Sequence, residues 1–230
     1  MMGFYLTILL LSFSAPFLLS FDRKLAFYRQ WKQALPAIGI VALLFILMDM
    51  LYTHLGVWGF NPEYYLGTHI FNLPVEEVLF FILIPYACVF LHEVLKLYFP
   101  KIQLSKKNSN ILSWALLGIC VVLIIAAFPK LYSVYSLVLT MVALLLALFL
   151  DRENEMGYFY FSFLIMLIPF MIVNGLLTGS FLGQEVVWYN NAENCSLRLI
   201  TIPVEDIGYA FGMLFLVLWI KKRLEIGTKN

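Results

Sequence analysis

The sequence predicts an all-α, polytopic membrane protein with seven transmembrane helices, arranged as two parallel three-helix repeats joined by an extra helix. Three observations lead to this fold class. Apolar residues make up 63% of the 230-residue chain and its mean hydropathy is +0.90, which lies outside the usage of soluble domains. Apolar windows of roughly 20 residues, the length that spans a bilayer, recur along the chain. A short motif with two adjacent acids occurs twice.

Seven apolar windows are long enough to cross a bilayer. The first has no basic residue in front of its apolar stretch and is followed at once by Arg23 and Lys24, which differs from a cleaved secretion signal. We therefore predict seven spans, of which the first is a retained helix. The windows cover residues 1–20, 35–53, 73–92, 110–128, 131–150, 157–177 and 202–220.

The distribution of Lys and Arg predicts the orientation of these spans. Thirteen of the 15 basic residues fall in the first, third and fifth connections and in the C-terminal tail, whereas only Lys130 and Arg198 fall on the other side. Because cytoplasmic loops are enriched in Lys and Arg, we expect the N-terminus outside and the C-terminus in the cytoplasm. The fifth connection, residues 151–155, is mainly acidic and supports this orientation least.

The duplicated motif opens the third and the seventh window. Leu73-Pro74-Val75-Glu76-Glu77 is repeated 129 positions later as Ile202-Pro203-Val204-Glu205-Asp206. Aromatic rings follow each copy by three or four residues, namely Phe80 and Phe81 in the first and Tyr209 in the second. Two acids at the start of a membrane-length segment are expensive, so their duplication indicates a chemical role.

The repeat extends backwards from the acid pairs. Asn61 and Asn190 each lie 13 residues before the motif proline, and Val57-Trp58 and Val187-Trp188 lie a little further upstream. Each unit therefore contains a helix, a long outer loop and an acidic helix, with a further helix in front. Because three helices are an odd number, the window at 110–128 is needed to keep the two units parallel. We divide the chain into a first repeat (1–95), a basic linker with a connecting helix (96–130) and a second repeat (131–230), the linker proper being 96–110.

The acid pairs allow two interpretations. Carboxylates in a first helical turn stabilise an ordinary helix start, since they face exposed N–H groups and the helix dipole. Adjacent helical residues point about 100° apart, however, so two neighbouring acids do not both serve one dipole. Crowded carboxylates can instead share a proton near neutral pH. We take Glu76, Glu77, Glu205 and Asp206 as the candidate catalytic residues.

Two further polar residues lie inside apolar windows at the same predicted depth. Asp49, in the second window, costs roughly 2.5 to 3.5 kcal/mol at mid-bilayer and has no basic neighbour in sequence. Asn174 occupies a similar depth in the sixth window. The intramembrane polar residues thus converge on one outer level, as expected for a single site between the two halves.

Several classes of site are not indicated by the sequence. His54, His69 and His92 are scattered and do not have metal-ligand spacing, and the three cysteines show neither metal nor redox spacing. The chain has no Gly-rich nucleotide loop and no dinucleotide fingerprint. We therefore expect no metal, no cofactor and no nucleic-acid partner, and acid–base chemistry on an apolar substrate is the most natural task for the acids.

These residues together resemble the membrane-embedded lycopene cyclases of carotenoid synthesis. The second half carries Asn174-Gly175-Leu176-Leu177-Thr178-Gly179, Trp188-Tyr189-Asn190, Arg198 and the second acid motif with Tyr209, while the first half carries Asp49, Gly56, Trp58 and the first motif with Phe80-Phe81. The resemblance covers most of the chain and corresponds to the fused, two-unit form. It implies substrate-binding or supporting roles for Asp49, Trp58, Asn61, Phe80, Asn174, Tyr189, Asn190, Arg198 and Tyr209.

The resemblance implies an isomerase of the intramolecular-lyase type in the bacterial inner membrane. Its reaction would be cyclisation of the open ψ end groups of lycopene to β-ionone rings, giving γ-carotene and then β-carotene without net redox change. Lycopene, other linear carotenoids and membrane lipid are the implied partners, and association with further copies of the chain or with other carotenoid enzymes stays open. A carrier or binding protein that holds an ion or a lipid head group on the same acids is the alternative from a different class; it would need a charged path through the membrane.

Overall fold

The computed structural model describes residues 2–180 and 182–227, and this part of the chain contains seven α-helices. Two short 3-10 helices, Phe27–Gln30 and Pro100–Ile102, precede α2 and follow α3. The α-helices are α1 (Phe4–Leu19), α2 (Trp31–His54), α3 (Val75–Tyr98), α4 (Lys106–Ala127), α5 (Leu131–Phe149), α6 (Glu155–Leu177) and α7 (Glu205–Gly227).

Five of these helices, α2 to α6, are long and apolar enough to cross a membrane. Helix α1 is apolar but has only 16 residues. Helix α7 is long, but acids at its start and the basic cluster from Lys221 onward leave a short uncharged stretch between them. The structure is therefore a helical, membrane-type fold.

The segment predicted as a linker, residues 96–110, is mostly helical. Helix α3 continues to Tyr98 and ends before Pro100, which has no backbone N–H and disfavours a helical conformation at the residue in front of it. Helix α4 starts early because the Ser105 hydroxyl accepts a hydrogen bond from the Asn108 N–H at 3.2 Å, a standard N-cap. The Lys, Ser and Asn residues of segment 96–110 therefore belong partly to the capped start of α4 and only partly to a connection.

The loops on the acid side of the bundle contain six short strands among the described residues, and these were not predicted from the sequence. They are β1 (Trp58–Phe60), β2 (His69–Ile70), β3 (Leu73–Pro74), β4 (Val187–Tyr189), β5 (Arg198–Leu199) and β6 (Ile202–Pro203). Strands β2 and β3 form one antiparallel pair and β5 and β6 another. Strands of two or three residues lack the extended apolar alternation that identifies a strand in sequence.

The pairing of β1 with β4 connects the two halves of the chain. It is antiparallel, with Trp58 opposite Tyr189, Gly59 opposite Trp188 and Phe60 opposite Val187. The shift of 129 residues that relates the two acid motifs also relates β1 to β4. Under this shift Gly59 corresponds to Trp188, which lies opposite it, and Trp58 and Phe60 each lie opposite the other's counterpart. This is the pattern that a two-fold relation between two strands produces.

The helices pack as α1 on α3 and α5 on α7, with α2 against both α3 and α7 and α4 on the outside of α5. Helix α7 approaches α5 very closely through Gly208 and Gly212. A Cβ atom at Gly212 would lie 2.8 Å from the Leu139 Cβ and 2.9 Å from its carbonyl carbon and oxygen. Small residues four apart allow this kind of close helix contact in membranes. The corresponding positions of α3 are Leu79 and Leu83, so α1 and α3 do not share this contact.

The end of the bundle opposite the acid motifs carries buried ion pairs. Lys221 is 4% exposed and donates to Glu93 at 3.0 Å. Glu155 lies 2.8 Å from His92 and 2.7 Å from Lys96. The acid Glu155 of the fifth connection is therefore paired inside the protein, because α3 and α6 meet there.

Candidate active site

A cavity of about 400 Å³ lies between α1, α3, α6 and α7. Three carboxylates from three different helices reach it: Asp49 on α2, Glu77 on α3 and Asp206 on α7. All three are buried, with 2%, 8% and 4% of their surface exposed. The sequence predicted that Asp49 and the acid motifs share one level, and the cavity brings one acid of each motif together with Asp49.

Away from the acids the cavity is apolar. Its lining continues along α3 from Glu77 to Leu91, a distance of about 21 Å at 1.5 Å per helical residue. The wall of this deeper part is formed by aliphatic and aromatic side chains, among them Phe163, Met166 and Leu214. Such a shape suits an elongated hydrocarbon whose end reaches the acids.

Glu77 receives one hydrogen bond from the residues that the structure describes. The hydroxyl of Tyr5, on the first turn of α1, donates to its Oε2 at 2.5 Å. Among the described residues no group donates to Oε1, and Glu77 lines the cavity. One oxygen of this acid is therefore held and the other is left to the cavity.

Asp206 is held by three donors. The Tyr132 hydroxyl donates to Oδ1, the Asn174 amide donates to Oδ2 at 2.5 Å, and the Tyr189 hydroxyl donates to Oδ2 at 3.1 Å. Burial raises the pKa of Tyr189 well above its usual value, and the Asp206 carboxyl beside it adds to the shift. The Tyr189 phenol therefore keeps its proton and acts as a donor. Three donors on two oxygens are the surroundings of a stabilised carboxylate.

Asp49 completes the group of acids. The Trp58 indole N–H donates to its Oδ1, and the Thr53 hydroxyl lies 3.5 Å from the same atom. Its Oδ2 is buried without a hydrogen-bond partner among the described residues. Asp49 also lies close enough to Glu77 for the two charges to interact.

The first acid of each motif lies away from the cavity. Glu76 accepts the backbone N–H of Leu66 at 2.8 Å, and Glu205 accepts the backbone N–H of Cys195 at 2.7 Å. The Ser133 hydroxyl also donates to Glu205, at 2.5 Å. The cavity wall includes neither of these two glutamates. Both therefore anchor the outer loop of their own half, which follows from the 100° between adjacent helical side chains.

Aromatic rings surround the acids. Trp58, Tyr132, Tyr189 and Tyr209 all line the cavity, and their ring centroids lie 5.1 to 6.3 Å apart in the contacts between Tyr132 and the other three. Phe80 lies on the same wall. The faces of such rings carry negative potential and attract a cation.

Three predicted supporting residues lie in the loops and away from the cavity wall. The Asn61 N–H donates to the Val186 carbonyl, and the Asn190 N–H donates to the Val57 carbonyl, both at 2.9 Å. Arg198 donates to the Thr201 carbonyl and the Asn191 side chain, both at 2.8 Å. Asn61 and Asn190 thus join the two outer loops, whereas Arg198 binds residues of its own loop. The other six predicted residues line the cavity.

Two functional candidates, Tyr5 and Tyr132, were missed in the sequence. Each stands near the start of its helix and donates to the second acid of its half. Their spacing of 127 positions nearly matches the 129 of the acid motifs, so extending the repeat to the first helix of each unit would have found them. Within residues 2–180 and 182–227 no group of three or more His, Cys, Asp or Glu side chains is placed to hold a metal.

Comparison with known proteins places the chain in a family. Neither the curated proteins nor the solved structures gave a match. The family model described as Lycopene cyclase matches two segments, residues 3–95 and 130–224, which together make up most of the chain. Both segments include an acid motif, and together they carry the cavity acids Asp49, Glu77 and Asp206. The chain belongs to the lycopene cyclase family.

Proposed function

We propose that the protein is a lycopene β-cyclase that converts the ψ end groups of lycopene to β-ionone rings by acid–base chemistry, without a redox step. The observation that carries this proposal is the single cavity in which Asp49, Glu77 and Asp206 meet at one end of an apolar channel. A linear carotenoid is an elongated hydrocarbon, and only its end group needs to reach the acids.

Ring closure requires a strong proton donor and an environment that tolerates a carbocation. An acid adds a proton to the terminal double bond, the resulting tertiary cation closes on the next double bond of the chain, and a base removes a proton to leave the ring alkene. An alkene is a very weak base, so the acid must be neutral and the site dry. The buried carboxyls and the apolar wall meet both requirements.

The aromatic group stabilises the cation between these two proton transfers. Trp58, Tyr132, Tyr189 and Tyr209 stand beside the acids, and each ring face adds a favourable interaction with a positive charge in a desolvated site. Their electrons are fixed in place before the charge forms, which is the condition under which such stabilisation accelerates a reaction.

Two parallel repeats, residues 1–95 and 131–230, joined by 96–130, are part of the proposal. Three contacts of the first half recur in the second: Tyr5 N–H to Tyr64 corresponds to Tyr132 N–H to Glu193, and the tyrosine–acid and loop–glutamate bonds described above also correspond. The two-fold pairing of β1 with β4 supports the same relation.

The proposed setting is a bacterial inner membrane, spanned seven times with the acid motifs at the outer side. Three lysines, Lys96, Lys221 and Lys222, lie around one polar pocket at the opposite end of the bundle, and three glutamates share this pocket. Because it is the number of Lys and Arg residues that correlates with the cytoplasmic side, this end supports the orientation. The acidic fifth connection is also compatible with it, since Glu155 pairs with Lys96 at 2.7 Å. A carrier function is disfavoured, because the cavity is apolar beyond the acids and offers no charged path.

The proposal is tested by producing the chain in cells that accumulate lycopene and separating the pigments by chromatography. We expect γ-carotene and β-carotene. Glu77→Gln and Asp206→Asn should each reduce ring formation per inserted molecule by about 100- to 1,000-fold, the usual loss when one preorganised electrostatic contact is removed. Unchanged lycopene with correctly inserted wild-type protein would refute the activity.

Glu76→Gln and Glu205→Gln are the matched controls. They make the same chemical change at the neighbouring residue, which binds loop backbone and lies off the cavity. Loss of these bonds should reduce the amount of folded protein more than the turnover of each folded molecule. If the controls lose turnover as completely as Glu77→Gln and Asp206→Asn, the cavity does not identify the catalytic acids.

A further inference from the structure

Glu77 and Asp206, the two motif acids on the cavity, have unequal surroundings although they occupy equivalent positions in the duplicated motif. Asp206 accepts three side-chain hydrogen bonds, two of them at 2.5 Å and 3.1 Å on the same oxygen. Glu77 accepts one, from Tyr5. Donors stabilise the ionised form of a carboxyl group, so the difference in donor number separates the two acids chemically.

The neighbour of each acid increases this difference. Asp206 has the amide of Asn174 as a donor, whereas Glu77 shares the first half's side of the cavity with a second carboxyl, that of Asp49. A carboxyl group with fewer donors in apolar surroundings is the less favourable place for a charge. With one hydroxyl donor against the three of Asp206, Glu77 is therefore the acid that keeps its proton.

Resting on the proposed cyclisation, we infer that the two halves have divided the labour: Glu77 donates the proton that starts ring closure, and Asp206 is the carboxylate that faces the cation and removes the final proton. The oxygen of Glu77 that no described residue occupies, Oε1, is the one that carries the reactive proton into the cavity.

The step balances without a redox partner. The O–H bond of Glu77 breaks as a C–H bond forms at the terminal alkene, and the electron pair of the next double bond forms the ring C–C bond. An Asp206 oxygen then takes a proton from the carbon next to the cation, and the released C–H electron pair becomes the ring double bond. Glu77 ends ionised and Asp206 protonated, so one proton returns from Asp206 to Glu77 before the next turnover.

The binding affinity of a cationic probe distinguishes the proposed roles of Glu77 and Asp206 without a measurement of turnover. The probe is a long-chain N,N-dimethylalkenylamine, protonated at neutral pH, whose nitrogen takes the place of the cationic carbon; the neutral hydrocarbon of the same length is its reference. Both are titrated into purified protein in lipid. Asp206→Asn should weaken binding of the ammonium, relative to the hydrocarbon, by at least roughly 30-fold, as for loss of one partner of a buried charge pair.

Glu77→Gln should change this ratio by less than about threefold, since a neutral acid is replaced by a neutral amide of the same size. Glu205→Gln is the matched control and should also leave the ratio unchanged. If Asp206→Asn does not fold, Asp206→Ser removes the same charge and should lower the ratio to a similar extent. Loss of ammonium preference in Glu77→Gln, or its retention in a folded Asp206 variant, would overturn the division of labour.

The roles assigned to Glu77 and Asp206 can be refuted separately from the cyclase activity. Wild-type protein that forms rings but shows no ammonium preference, or the reversed pattern in the variants, refutes the assigned roles and leaves cyclisation intact. Folded wild-type protein that forms no ring from lycopene refutes the proposed function, whatever it binds.

Discussion

Removing one hydroxyl from each of two equivalent tyrosines gives the sharpest test of this site. Tyr5 and Tyr132 stand near the start of α1 and α5, are 1% and 3% exposed, and donate to Glu77 and Asp206 respectively. Tyr5→Phe and Tyr132→Phe therefore make the same chemical change in the same kind of burial. Any difference between them reports the state of the acid that each tyrosine contacts.

The expected difference follows from the charge on each acid. A hydrogen bond to an ionised group contributes about 1.5 to 3 kcal/mol, and one between neutral groups about 0.5 to 1.5 kcal/mol. Tyr132→Phe should therefore lower the free energy of unfolding by about 1.5 to 3 kcal/mol, and Tyr5→Phe by about 0.5 to 1.5 kcal/mol. The rates should follow the opposite order. In the proposed reaction Glu77 loses its proton, so the hydrogen bond from Tyr5 strengthens during the first step, and Tyr5→Phe should slow ring formation per folded molecule by roughly tenfold. Asp206 is already charged before the reaction starts, so Tyr132→Phe should slow it less.

The assay is β-carotene and γ-carotene formed per unit of folded, membrane-inserted protein, with thermal unfolding of the purified variants measured alongside. Normalisation to folded protein separates the change in turnover from the loss of stability. An equal or larger loss of stability in Tyr5→Phe, or a larger loss of turnover in Tyr132→Phe, would contradict the argument that Asp206 carries the charge and Glu77 the proton.

Three further outcomes are expected. Gly212→Ala should destabilise the protein by roughly 1 to 3 kcal/mol in thermal unfolding, because its Cβ would overlap the Leu139 backbone, whereas Gly118→Ala, where a Cβ meets no atom within 4 Å, should not; equal melting temperatures would show that α5 and α7 are not closely packed. A periplasmic reporter fused after Lys222 should be inactive, since that end is expected in the cytoplasm, and an active one would overturn the orientation. Purified protein in lipid, treated with chelator and given no nucleotide, should still convert lycopene, and strict dependence on an added cofactor would contradict the proposed chemistry.

The number and approximate positions of the helices could be predicted from sequence, because a bilayer-length apolar run is a strong and local signal. The windows at 131–150 and 157–177 differ from α5 and α6 by no more than two residues at either end. The small sheets were not predicted. Pairing of two- and three-residue strands depends on contacts between loops more than a hundred residues apart, as for Gly59 and Trp188, and leaves no local pattern.

The sequence indicated the kind of chemistry at the candidate site but only some of the residues that line the cavity. The duplicated motif identified Glu77 and Asp206, and the cost of an intramembrane acid identified Asp49. The motif alone could not show that Glu76 turns away to bind the Leu66 N–H, because both acids of a pair look alike in sequence. The direction of each side chain depends on which face of α3 meets the cavity, and that is set by packing.

The packing of the helices explains why the cavity with the acids lies beside α1 and α3. Gly208 and Gly212 bring α7 close to α5, and Tyr52, Tyr135 and Tyr209 fill the space on that side, with ring centroids 4.8 Å apart for Tyr52 and Tyr135 and 5.9 Å apart for Tyr135 and Tyr209. The corresponding helices α1 and α3 lack the glycines and enclose the apolar channel. The second half is thus closely packed at this level, whereas the first half leaves room for the channel. Glu77 and Asp206 both line this channel.

The division of labour that we infer depends on one difference between the two halves of the chain. Asp49 on α2 and Asn174 on α6 both line the cavity, and the Asn174 amide donates to Asp206 at 2.5 Å. An amide donates a hydrogen bond and stabilises a charge, whereas an ionised carboxyl only accepts and adds a negative charge of its own. The proposed cyclisation needs one neutral acid and one carboxylate at the same pH. The asparagine on the side of Asp206, and the aspartate on the side of Glu77, favour this assignment of the two motif acids.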